Sequence, residues 1–122
     1  CEVPPVEYKD LSRSTPSESS AEIRKRVDKA RLIQQKRFGG TGISSNARIT
    51  PAKLHEFCPM TDEASRVLQM SFDRLKLSGR AYDRIVKVAR TVADLEGEER
   101  ISAAHIMEAI HYRTLDREYW NN

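Results

Sequence analysis

An all-α fold, a small bundle of about five helices behind an extended N-terminal segment, is predicted by three observations. Apolar residues recur at helical spacing in four separate stretches; most of the segments open on Ser or Thr and stop at Gly or Pro; and period-2 alternation is absent beyond the first few residues. The 122 residues suit one domain with one core. No apolar run approaches the roughly 18 residues of a membrane span, and no charged-then-apolar start marks a signal peptide. Two cysteines, Cys1 and Cys58, are too few for a disulfide scaffold and fit a reduced compartment. A chain that begins at Cys is expected to be a piece of a longer protein, carrying part of an activity.

Residues 1–18 show no helical period, and Glu2-Val3-Pro4-Pro5-Val6 reads as extended because each proline lacks an N–H and biases its predecessor away from the helix. The helical domain is expected over 19–122. Its first helix should start near Ser19, with Glu22 completing a capping box, and run to about Arg37. Its apolar stripe (Ile23, Val27, Ala30 and Ile33 or Gln34) is narrow, as in a helix that packs on a surface. Gly39-Gly40-Thr41-Gly42 ends it. Thr50-Pro51 signals a short second helix over about 51–57, which Pro59 stops. Thr61 caps a third over about 62–76, with Asp62 and Glu63 in its first turn and Ala64, Val67, Leu68, Phe72 and Leu75 facing inward. Ser78 caps a fourth over about 79–96, with an expected core stripe of Ala81, Ile85, Val88, Ala89, Val92 and Leu95, closed by Gly97. Ser102 caps a fifth over about 103–116, with Ile106, Ala109 and Ile110 facing in.

Charge narrows the function. The net +3 is too small to imply nucleic-acid binding, but the first helix alone, residues 20–38, carries seven cations against two anions. Arg24, Lys25 and Lys29 are candidate phosphate contacts on that helix; a solvated face is the plainer alternative. No aromatics are interleaved, so base stacking is not supported. His105 and His111 are six residues apart and do not share a face as a zinc pair would, and Cys58 has no nearby cysteine, so no metal site is expected. The glycine loop at 39–42 lacks the Lys-Ser/Thr of a phosphate loop and reads as a connection. Ser78-Gly79-Arg80 is the most informative short motif. A cation in a helix's first turn opposes the helix dipole, and makes sense if an anion sits beside it; an exposed arginine at small cost is the alternative.

The stretch from Ser78-Gly79-Arg80-Ala81-Tyr82-Asp83-Arg84 through Arg90 to Gly97 resembles the C-terminal domain of magnesium-chelatase-like AAA+ ATPases, most closely the bacterial YifB/ComM group. Glu2-Val3-Pro4-Pro5-Val6, Ser19 to Arg24, Ala30 to Gln34 and Ile106 to Arg113 support the likeness, which covers nearly the whole chain. It implies a helical lid following a nucleotide-binding core, with residues 1–18 as the linker from that core. It implies that Arg80 is the sensor-2 arginine, positioned by Ser78 and Gly79 to face the γ-phosphate of ATP, with Arg84 and Arg90 making lid or intersubunit contacts. ATP and Mg²⁺ would be cofactors of the parent protein, a cytoplasmic bacterial homo-hexamer acting on DNA as a branch-migration helicase in natural transformation. The phosphate loop, Mg²⁺ ligands and arginine finger would lie upstream of Cys1, so this chain alone is expected to bind no cofactor and to have no ATPase activity. A non-enzymatic helical DNA-binding or protein-interaction module is the alternative.

Overall fold

The computed structural model describes the backbone of residues 19–120 and the side chains of residues 19–113. The segment expected to be extended, 1–18, lies outside the described residues. Five α-helices follow in order: α1 (Ser20–Phe38), α2 (Leu54–Phe57), α3 (Asp62–Leu75), α4 (Gly79–Leu95) and α5 (Ala103–Trp120). Two 3₁₀ turns, Asn46–Arg48 and Pro51–Lys53, lie between α1 and α2. Among the described residues the only β-type pairing is an isolated parallel bridge, Met60 to Ile101, in which Thr61 N–H donates to the Ile101 carbonyl (3.0 Å) and Ile101 N–H to that of Pro59 (2.8 Å). It ties the loop before α3 to the loop before α5.

The caps follow from side-chain chemistry. A helix leaves its first N–H groups without partners, and a Ser or Thr hydroxyl satisfies one of them. Ser19, Thr61 and Ser78 do this through the N–H groups of Glu22, Ala64 and Ala81, each at 3.1 Å. Thr50 makes no such bond; the chain enters a 3₁₀ turn there, with Pro51 at its first position, before α2 forms. Gly97 stops α4 at φ 72°, where Glu98 N–H donates to the Ala93 carbonyl at 2.8 Å. Lys76 ends α3 at φ 51° without the freedom of a glycine, and Leu77 then turns into the core. Helix α5 runs a turn past the expected 116.

Helix α4 is the centre of the domain. Helix α5 packs along it, α3 packs chiefly on α5, and α1 lies against the C-terminal half of α4. The core joins Phe38 and Ile49 to Leu68, Ile85, Ile101 and Ile106; each such side chain stabilises the fold by about 1.5–3 kcal/mol when fully buried. The expected α4 stripe is partly wrong. Ala81, Ile85 and Ala89 are buried, but Val88 is 39% exposed, and Val86, Arg90, Ala93 and Asp94 complete the buried face. The buried face extends round to Arg90 and Asp94 because α1 and the Asn46–Arg48 turn pack there through Arg37 and Asn46, and a hydrophobicity count does not enter that polar pair. On α3, Leu75 is exposed while Ala64 and Leu68 are buried.

Candidate functional site

The start of α4 is fixed from both sides. Leu77 is buried immediately before the cap, and Ala81 and Ile85 are buried after it, so the first turn is anchored while its outer face is free. Ser78 caps that turn, which contains no acidic residue. Arg80 stands in it, exposed, and makes no hydrogen bond or ion pair with any described residue. Gly79 is the first helical residue, and a Cβ built there would meet nothing within 4 Å. Glycine costs a helix roughly 1 kcal/mol relative to alanine, and neither crowding nor a positive φ within the described residues requires it.

Arg80 borders a cavity of about 410 Å³ between α4 and α5. Two more guanidinium groups line it, Arg84 from α4 and Arg113 from α5, and no carboxylate residue is among its described lining. Ala81, Ile85 and Ala109 form its floor, with the more open Val88 and Tyr112 beside them. Neither Arg84 nor Arg113 has a hydrogen-bond or ion-pair partner among the described residues. Tyr112 donates its hydroxyl to Glu108 (3.2 Å), and that bond holds the phenol above its ordinary pKa.

Arg90 is placed quite differently. It is 1% exposed, donates to Asp94 through Nε (3.1 Å) and to the carbonyls of Glu99 and Glu98 through its two terminal nitrogens (2.7 and 2.6 Å). Its hydrogen bonds are internal to the domain and hold the α4–α5 turn, the lid contact among the two alternatives expected of it. Burial lowers its pKa, against the opposing pull of Asp94. Asp94, fully buried, also accepts from Arg37 Nη1 (2.8 Å) and Asn46 Nδ2 (2.9 Å), and Asn46 accepts in turn from Arg37 (2.9 Å) and donates to Thr91 (3.1 Å). This network joins α1, the Asn46–Arg48 turn and α4. The sequence signal for it was present, an Arg and an Asp four residues apart, each directly after an alanine of the core stripe, Ala89 and Ala93.

The remaining candidates scatter. Arg24, Lys25 and Lys29 are exposed on α1, with Lys25 and Lys29 one turn apart on one face and Arg24 about 100° round from Lys25. Lys29 leans over the end of α4, its Nζ 3.3 Å from where a Cβ on Gly97 would lie. Cys58 is a free, buried thiol whose pKa is raised to about 11 by desolvation, an inert core group. His105 is a structural residue: Ser102 N–H donates to its Nδ1 (2.9 Å), which leaves the ring proton on Nε2, 2.9 Å from the Glu96 carboxylate. The described residues contain no group of three His, Cys, Asp or Glu placed to hold a metal ion, and no helix long and apolar enough to cross a membrane.

Competence protein ComM of Haemophilus influenzae is 40% identical over 100 residues, which is 82% of this chain and 19% of that protein. The uncharacterized protein YifB of Escherichia coli is 38% identical over 102 residues, 84% of this chain and 19% of its own length. An uncharacterized protein of Mycobacterium bovis is 30% identical over 96 residues, 79% of this chain and again 19% of the relative. The chain thus spans about a fifth of the curated relatives it matches. No solved structure matches it. The family model for the C-terminal region of magnesium chelatase subunit ChlI matches residues 17–113, from just before the α1 cap to the last described side chain of α5, and the chain belongs to that family.

Proposed function

We propose that this domain is the helical lid of a AAA+ ATPase and that Arg80 is its sensor-2 arginine, reaching the γ-phosphate of ATP bound in the nucleotide-binding core of the same parent chain. The observation that carries this is Arg80 itself: a cation in the first turn of α4, where the dipole disfavours it, exposed and without a partner among the described residues. Gly79 adds support, since it keeps the backbone beside Arg80 open with no need for that space among the described residues. The parent would be a homo-hexameric motor acting on DNA, in keeping with the likeness to the competence protein. ATP, with its Mg²⁺, supplies the transferable phosphoryl group. What this chain contributes is a fixed guanidinium where negative charge develops, and a rigid first turn, set by Ser78 and Leu77, that moves with the lid as it closes.

The test is a pair of measurements. Arg80→Ala in this chain leaves the melting temperature unchanged or slightly raised, since no internal bond is lost and an unfavourable dipole interaction is relieved. The same change in the full-length parent lowers ATP turnover by about tenfold or more. Unfolding of this chain with parent ATPase intact would make Arg80 a structural residue and end the proposal.

A second reading is favoured by one observation, the exposed basic side of α1: Arg24, Lys25 and Lys29 have no hydrogen-bond or ion-pair partner among the described residues. There α1 is the DNA-facing surface of the parent.

A further inference from the structure

We propose that Arg113, on α5, is a phosphate-binding residue that acts together with Arg80 and Arg84, so that the cavity between α4 and α5 grips a polyphosphate with three guanidinium groups from two helices. Three observations carry this. The three arginines line one cavity; none of them has a hydrogen bond or ion pair among the described residues; and the described lining contains no carboxylate residue, Asp83 lining instead the adjoining groove that Arg80 and Arg84 share. Like charges gathered with no bonded carboxylate among the described residues raise one another's energy, and the arrangement is relieved when an anion enters. Guanidinium forks bind phosphate oxygens through paired N–H donors, which suits a ligand carrying several oxyanions close together.

Size and charge narrow the ligand. At about 410 Å³ the cavity has the dimensions of a small-molecule site. The phosphate tail of a nucleoside triphosphate, its base and sugar held by the parent's core, has that size and charge. The assignment rests on Arg80 being a phosphate-contacting residue, and adds that α5 is drawn to the same phosphates. Arg113 would then couple ligand occupancy to the packing of α5 on α4.

Sodium tripolyphosphate, titrated into this chain at constant ionic strength, tests it by following the arginine Nε–H resonances. The Arg80, Arg84 and Arg113 signals should shift together on one saturable curve, and those of Arg24 and Arg31 on α1 should not. Arg113→Gln should weaken binding by about tenfold with the melting temperature unchanged, as loss of one charge-assisted contact predicts. Arg31→Gln should leave it within about twofold, as a single distant surface charge predicts. Equal weakening by Arg113→Gln and Arg31→Gln would mean unspecific charge attraction and overturn the proposal. Weakening by Arg80→Gln but not by Arg113→Gln would overturn it while leaving the sensor reading of Arg80 intact. Dependence on Arg113 without dependence on Arg80 would overturn the joint site and count against the sensor reading as well.

Discussion

Asp94 sits where three segments meet with two guanidinium groups on it, Arg90 at 1% side-chain exposure and Arg37 at 13%. Bringing these charges out of water is costly, and the cost is offset only because the polar atoms are saturated: no buried side-chain nitrogen or oxygen among the described residues lacks a partner. Removing the carboxylate therefore strands two cations at once. Asp94→Ala is expected to cost about 3–5 kcal/mol, the range for breaking a buried pair, and urea unfolding of the purified chain would read it. A loss below about 1 kcal/mol would mean that solvent already reaches the pair, as for a surface salt bridge. The network also shows what a single sequence withholds at this scale. The i, i+4 spacing of Arg90 and Asp94 was legible, but Arg37 and Asn46 lie 57 and 48 residues from Asp94, and only the fold brings them to it. Arg80 is the opposite case. Its place in the first turn follows from Ser78 alone, because a capping hydroxyl fixes the helix start to within a residue.

At the scale of an element, helix starts were the most legible feature and helix faces the least. Ser19, Thr61 and Ser78 cap as expected because the cap is a local bond between residues three apart. A buried face depends on which neighbours arrive. Helix α4 carries two overlapping apolar rows, and the one containing Val88, Val92 and Leu95 is the less covered. The Asn46–Arg48 turn left no periodic signal, since a 3₁₀ piece of three residues is shorter than any period it could display. Ile85 and Val88 turn the rotation of α4 into a measurement. Ile85→Ala should destabilise the chain by about 2–5 kcal/mol, as for a core isoleucine. Val88→Ala should cost under about 1 kcal/mol, since the side chain is 39% exposed and leaves little cavity behind. Equal losses in thermal or urea unfolding would place α4 in the orientation first expected from its apolar row.

For the whole molecule, the unequal attachment of α1 is the property that bears on its partners. Its C-terminal end is fastened by buried Phe38 and by the Arg37–Asp94 pair, while along the rest of the helix only Ala30 is fully buried. Ile23 and Leu32 remain exposed beside the cations. The helix thus presents a basic side on which Arg24 and Lys25 have no bonded partner among the described residues, while Lys29 lies over the C-terminal turn of α4, where the dipole favours a cation. If this side meets DNA in the parent, changing Arg24, Lys25 and Lys29 to Glu there should abolish DNA binding, and the unmodified protein should lose affinity steeply as salt rises, because each phosphate contact releases a counterion. The fold should survive, since exposed charges contribute little to stability; of the three, Lys29→Glu should carry the largest cost, roughly 0.3–1 kcal/mol, by reversing its interaction with the end of α4. Filter binding of the triple variant at several salt concentrations, beside its melting temperature, separates the outcomes. Unchanged DNA affinity in a folded protein would leave α1 a solvated surface and move the search for the DNA contact to the four fifths of the relatives' length that this chain does not match.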